Sequence, residues 1–518
     1  MGSRLTVAHV VLTAASAVLF GLCFPTAGIR ALGWIALVPF LAAVRSATTR
    51  GAIALSIVWT LVAAYAVGDW FPRAVASYYD QPLAVGVGMF LGVSLVMAAP
   101  YYAAFAVCYR AMSRRPGAAV PLLAAAAWVG AELGRGKLLT GNPWALFGYS
   151  QIGVDPLVQV ADLTSVYGVS FLLVAVNAAV VELWAARAGA RRRALGGAAV
   201  TALVVAAALG YGRWRLAALD ARPPHVRPIT VAMVQGNVDV GRQWREEFYG
   251  RNLDVYLRLT MDVTRERSPE LIVWPENALT FFLDDEPRYR RAIARVLEPS
   301  GAQLVVGGPR FAGSDARRVF YNSVFLLAPD GEILGRYDKQ KLLPLAEYFP
   351  VPALDLLRRR FARVRELTPG PPRPPLATRA GPAGVTICNE AMFPEIAAAR
   401  VREGAVFLLD PANDTWLTPK FSAQQFDIVR LRTVEQRRYL VRASTAGPSA
   451  IVDPLGRVVV RTDFFTRAAI AGEVYPRTET TLYARIGDAF AYGCALVALG
   501  AWLSRSAGAR RRRGSHRP

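Results

Sequence analysis

Leu271-Ile272-Val273-Trp274-Pro275-Glu276 is a short apolar run that stops on a proline and then a carboxylate. Four apolar residues closed by a breaker read as a strand. A strand that ends this way delivers Glu276 to one edge of a sheet. Further runs of the same kind lie at 229–234, 303–307, 323–327, 384–388, 406–410, 439–443 and 450–452. Helical patterns fit 245–266, 286–297, 391–402 and 422–437. Strands with helices between them predict a layered α/β domain, assigned to 226–475. The proline-rich stretch 368–375 predicts an exposed loop just ahead of strand 384–388.

Two other strand ends carry reactive side chains. Tyr337-Asp338-Lys339 supplies an amine, and Val385-Thr386-Ile387-Cys388 supplies the single cysteine between residues 213 and 485. That stretch has one histidine, His225, at its very start. A cysteine nucleophile here therefore has a carboxylate and an amine as available partners. Cys388 is the candidate nucleophile, with its thiolate favoured by Lys339. Glu276 is the candidate general base. Lys339 and the backbone N–H of Asn389 are placed to hold an oxyanion. The product of attack is a thioester on Cys388. Each residue also has an ordinary reading. A lone cysteine is often a small core hydrophobe, Glu276 a helix cap, and Lys339 a surface lysine beside Asp338.

The surroundings of this domain are apolar. The chain has 518 residues, 53% of them hydrophobic, and a net charge of +22, with a mean hydropathy of +0.28. The positive charge sits in caps between apolar runs: Arg110, Arg114 and Arg115; Arg187 with Arg191 to Arg193; and Arg510 to Arg513. Such caps mark membrane topology, and a nucleic-acid surface is rejected. Runs long enough to cross a bilayer lie near 7–24, 28–46, 51–68, 83–109, 118–134, 164–186, 194–212 and 486–504. The expectation is an N-terminal membrane domain, 1–213, with about seven helices. A C-terminal span at 486–504 and a basic cytoplasmic tail at 505–518 follow the soluble domain. The arginine caps fall on alternate loops, which places both termini in the cytoplasm and 226–475 outside it. The four cysteines and three histidines form no disulfide framework or metal site, and no cofactor is indicated. The segment 348–357 followed by Arg358, Arg359 and Arg360 is apolar then basic, a pattern that suits a lid on the membrane surface.

The Trp-Pro-Glu, Tyr-x-Lys and Ile-Cys-x-Glu segments resemble the Glu-Lys-Cys triad of the nitrilase, or carbon–nitrogen hydrolase, superfamily. The membrane context narrows this. The loop from Glu132 through Thr140-Gly141-Asn142-Pro143-Trp144 to Gln151 resembles that of the apolipoprotein N-acyltransferases. So do Val234-Gln235-Gly236-Asn237 with Trp244, Pro344 to Pro350, Asn413-Asp414-Thr415-Trp416, and Tyr483 to Asp488. The resemblance implies a polytopic helical bundle carrying an αββα nitrilase-like domain. It implies transfer of a fatty acyl chain from a phospholipid, through a thioester, to the α-amine of a diacylglyceryl-cysteine on a lipoprotein. It assigns Glu276 as base, Lys339 as oxyanion stabiliser and Cys388 as acyl carrier. Glu347, Glu390, Trp244 and Trp416 match supporting residues. The location implied is the bacterial cytoplasmic (inner) membrane. The competing reading is a membrane-tethered amidase that hydrolyses small amides. Asn389, Lys341 and Ala346 stand where the family usually has an aromatic residue, a histidine and a glycine.

Overall fold

The computed structural model describes residues 5–114, 117–238, 246–313, 318–350, 366–415 and 418–514, with side chains to 504. The chain divides into two compact units. One comprises Met1–Ser77, Gln81–Ala218 and Ile486–Pro518; the other comprises Tyr78–Asp80 and Leu219–Arg485.

Among the described residues, the second unit holds two six-stranded sheets. The strands are β1 (Ile229–Gln235), β2 (Leu271–Val273), β3 (Gln303–Ala312), β4 (Val319–Leu327), β5 (Ile333–Asp338), β6 (Leu376–Thr378), β7 (Gly381–Val385), β8 (Phe407–Ala412), β9 (Leu440–Ser444), β10 (Ala450–Val452), β11 (Val458–Arg461) and β12 (Ala468–Val474). The sheet orders are β12-β1-β2-β3-β4-β5 and β11-β10-β9-β8-β7-β6. The two sheets repeat one pattern. In each, three central strands run parallel, β1-β2-β3 and β7-β8-β9, and antiparallel strands flank them.

Strand periodicity sorts the side chains into layers. Val231, Met233, Val273 and Val305 of the first sheet meet Val385, Leu409, Val441 and Ile451 of the second in one buried cluster. The alternate residues of the first sheet, Ala232, Ile272, Leu304 and Phe325, turn outward under Leu253, Tyr256 and Ile293. These last three belong to helices Glu246–Arg267 and Pro287–Leu297. On the other side Leu408 and Leu440 pack under Ala397, Val401 and Val429, from helices Pro394–Arg402 and Pro419–Gln436. The layers are therefore helix, sheet, sheet, helix. Truncating a side chain of the central layer, such as Leu409→Ala, is expected to cost about 2–5 kcal/mol.

The first unit is helical. Thr49–Gly68, Val166–Trp184 and Ala188–Ala218 are long and apolar enough to cross a membrane. The pair Leu83–Met97 and Ala99–Ser113, bent by 41°, makes a fourth if counted as one span. Eight full-length spans are more than the described helices provide by length and composition. The runs at 7–24 and 486–504 give shorter apolar helices, Val7–Leu22 and Ala489–Ser504. Run 118–134 becomes Val120–Lys137. Run 28–46 breaks into a turn at Arg30–Trp34 and a helix at Val38–Ser46. Pro39 in the first turn of that helix cannot continue a ladder from before it. The buried Asn177 fills the gap, accepting from Leu37 N–H at 2.8 Å and donating to the Gly33 carbonyl at 2.9 Å. Glu132 and Arg135 each grip the following loop. Glu132 accepts from Trp128 Nε1 at 2.9 Å and Phe147 N–H at 2.6 Å, and Arg135 donates to the Trp144 carbonyl at 2.6 Å.

Candidate active site

Glu276 lies in an irregular segment beyond β2, with no helix before Pro287, so it caps none. The backbone there is pinned to β3. Trp274 N–H donates to the Val305 carbonyl at 2.8 Å and Leu279 N–H to the Gly307 carbonyl at 3.0 Å. A Cβ at position 307 would lie 2.5 Å from the Pro275 carbonyl oxygen and 2.7 Å from Glu276 Cα, so this close approach requires glycine.

Lys339 follows β5 directly. Asp338 does not hold it at the surface. That carboxylate is taken by Arg310, at 3.0 and 2.8 Å, and by the Ser323 hydroxyl at 2.6 Å. Lys339 is instead 2% exposed, and its Nζ donates to Glu276 Oε1 at 3.2 Å and Glu347 Oε1 at 3.0 Å. Asn322, on β4, donates through Nδ2 to the same two oxygens at 2.6 and 2.8 Å. Glu347 Oε2 accepts from Leu343 N–H at 2.7 Å. One ammonium and one amide thus hold two carboxylates in a closed ring. Burial pulls the Lys339 ammonium down, but Glu276 and Glu347 outweigh it and hold the amine well above its ordinary range.

Cys388 was expected on the last residue of a strand. The strand ends at Val385, and Cys388 begins a 3-10 turn, Cys388–Met392, with a φ of 53°. A non-glycine residue in the left-handed region costs on the order of 1–2 kcal/mol, and Glu390 holds it there. Glu390 Oε2 accepts from Ile387 N–H at 2.8 Å, while Oε1 accepts from Gln340 N–H at 2.7 Å and Lys341 N–H at 2.8 Å. Tyr337 also donates to it, at 3.0 and 3.1 Å. This single buried carboxylate ties the turn after Lys339 to the turn that carries Cys388. Asn389 adds a bond from its amide to the Lys341 carbonyl at 3.1 Å, and Lys341 Nζ lies 4.9 Å from the Phe393 ring centre.

Cys388 is partly exposed and packs against the core layer between the sheets. Its thiol is pushed well above the ordinary range, first by burial and then by Glu276. Lys339, and next the N–H of Asn413, pull the other way without prevailing; Asp414 adds to the rise. The balance favours the protonated thiol over the thiolate.

The structure brings together Glu276, Lys339, Glu347, Asn389, Glu390 and Cys388. Trp244, Trp416 and the apolar–basic segment 351–361 lie outside the described residues. Sequence reasoning missed Asn322, Gln425, Arg442 and Asp410. Arg442 is a charge inside the apolar run 439–443, and Asp410 closes the apolar run that begins at 406; a charge in such a run must be paired if it is buried. Asn322 and Gln425 gave no comparable signal.

Two known families match. One is described as Apolipoprotein N-acyltransferase N-terminal domain, over residues 16–179. The other is Carbon-nitrogen hydrolase, over residues 230–482. An apolipoprotein N-acyltransferase of Geobacter metallireducens is 35% identical over 484 residues, 92% of this chain and 92% of that protein. Those of Methylococcus capsulatus and Gloeobacter violaceus are 32% and 28% identical, covering 76% and 98% of this chain and 74% and 96% of theirs. With a similarity that runs from the helical unit through both sheets, the chain belongs to the apolipoprotein N-acyltransferase family, its second unit being of the carbon–nitrogen hydrolase type.

Proposed function

We propose that this protein N-acylates lipoproteins in the bacterial cytoplasmic (inner) membrane, in two steps through Cys388. The observation that carries this reading is the closed ring of Glu276, Lys339, Glu347 and Asn322 beside Cys388, in a member of this family. In the first step Glu276 takes the Cys388 proton as sulfur attacks an acyl ester carbonyl of a phospholipid. The tetrahedral oxyanion is held by Lys339 and the N–H of Asn389. Collapse expels the lysophospholipid alkoxide, which receives the proton from Glu276, and leaves the acyl thioester. In the second step the α-amine of a diacylglyceryl-cysteine attacks that thioester. Glu276 takes the amine proton and returns it to the departing sulfur, giving an amide and free Cys388.

The chemistry suits the groups present. Splitting the transfer lets two bulky lipids use one site in turn. An α-amine, with an ordinary pKa of about 8, is already partly nucleophilic at neutral pH. Glu347 and Glu390 support the site, and the family resemblance gives Trp244 and Trp416 a supporting role. The arginine caps favour both termini cytoplasmic and the catalytic domain, 226–475, outside.

The test is transfer from phospholipid to a diacylated lipopeptide by the purified protein. Cys388→Ala is expected to abolish transfer while leaving the fold intact. Undiminished transfer in that variant contradicts the reading. Lipid-independent release of ammonia from small amides would instead identify a membrane-tethered amidase.

A further inference from the structure

A second buried charge cluster lies beside the cysteine, and the two-step scheme leaves it unused. Arg442 of β9 is fully buried. Its guanidinium contacts Asp410 at one nitrogen. From the other it reaches Asp414 Oδ2 at 3.1 Å and donates to Gln425 Oε1 at 2.7 Å. Asp414 is held in turn by the Ser444 hydroxyl, which donates to Oδ2 at 3.0 Å. Gln425, on helix Pro419–Gln436, is 1% exposed, and its Nε2 lies 3.9 Å from Cys388 Sγ.

The orientation of this amide is not free. Arginine only donates, so the amide must turn its oxygen to Arg442. A flip would set NH2 against a guanidinium. The nitrogen is thereby committed to the sulfur, and Arg442 is itself fixed by two carboxylates. We propose that Gln425 is a donor to the Cys388 sulfur, aimed by Arg442 with Asp410 and Asp414, and that it stabilises the thiolate whenever the S–H or S–acyl bond breaks. This rests on the reading of Cys388 as the nucleophile. A neutral donor fits the place well. A hydrogen bond to the charged form favours it, without the permanent ion pair that a second ammonium would impose. The other charged groups acting on this sulfur are Glu276, Lys339, Asp414 and Arg442.

The experiment is the rate of alkylation of Cys388 by iodoacetamide, followed by peptide mass across the pH range in which thiols titrate. The full-length protein in detergent is used, with Cys388→Ala as the blank for Cys23, Cys108 and Cys494. Gln425→Met fills the same volume without a donor. It is expected to move the midpoint up by about one unit and slow alkylation at neutral pH about tenfold. Gln425→Glu keeps the acceptor for Arg442 but turns a carboxylate to the sulfur, and is expected to move the midpoint up as well. If Gln425→Met fails to fold, Gln425→Leu, which likewise lacks a donor, takes its place. A wild-type profile in a folded variant, with wild-type Cys388 still accepting an acyl chain, overturns the Gln425 assignment alone. Wild-type Cys388 that neither alkylates nor acylates overturns the nucleophile reading and this inference with it.

Discussion

Two buried clusters act on Cys388, and both are made of one cation, two carboxylates and one primary amide. In the first, Lys339 and Asn322 hold Glu276 and Glu347. In the second, Arg442 lies between Asp410 and Asp414 and donates to Gln425. The first stands on β4 and on the loops beyond β2 and β5. The second is built into β8, β9 and the helix over them. The cation marks the difference in purpose. Lysine is a compact point charge with three donors that can follow a moving negative charge. Arginine is a planar fork that fixes its partners and keeps its proton. The first cluster is thus suited to chemistry, and the second to holding one amide in one orientation.

The widest separation between the clusters should come from removing the Glu276 carboxylate. Glu276→Gln is expected to lower acyl transfer by about 10²–10⁴-fold, with folding retained. Transfer within a few fold of wild type would show that the two clusters do not divide the work this way. Lys339→Arg keeps the charge but changes its shape. Transfer should fall by roughly 10²-fold or more, and thermal unfolding should change little.

The scaffold cluster should respond in the opposite sense. Arg442→Met leaves two carboxylates buried without their cation, and a loss of about 3–5 kcal/mol in denaturant unfolding is expected. A loss below about 1 kcal/mol would mean that the fork is dispensable. Asn322→Leu removes one of the two donors from the reactive ring. It should lower transfer about tenfold, the worth of a hydrogen bond to a charged group.

The smallest effect is a pH slope. Burial pushes Asp410 from its ordinary 3.8 up to about 7, against the pull of Arg442, with Asp414 and then Glu276 adding to the rise. A carboxyl that binds its proton more tightly when folded adds stability at low pH. That contribution is lost as pH rises to its folded pKa. Asp410→Asn should therefore flatten the fall in melting temperature between about pH 4 and pH 7. An unchanged slope over that window would place the proton elsewhere.

Much of this was legible in the chain. The eight strand runs and four helical patterns all correspond to elements, because buried strands and amphipathic helices carry strong periodicity. The missed strands show why the rest was not. β5, β11 and β12 have exposed or half-buried residues and little apolar contrast, and β6 is three residues long. The single helix expected at 28–46 failed because hydropathy does not register the break at Pro39. Glu276 and Cys388 stood out as candidates because each ends or follows an apolar strand run, and Lys339 because of its Tyr-x-Lys pattern, the strand before it having been missed. Asn322 and Gln425 were not, because an amide becomes informative only once its neighbours are known.

The most direct test is the intact mass of the purified protein in detergent, first with phospholipid and then with a diacylated lipopeptide. The account predicts a fatty-acyl mass on Cys388 that disappears as the peptide gains it. Peptide acylation with no acyl mass ever appearing on the protein, or an acyl mass that survives in Cys388→Ala, would contradict it.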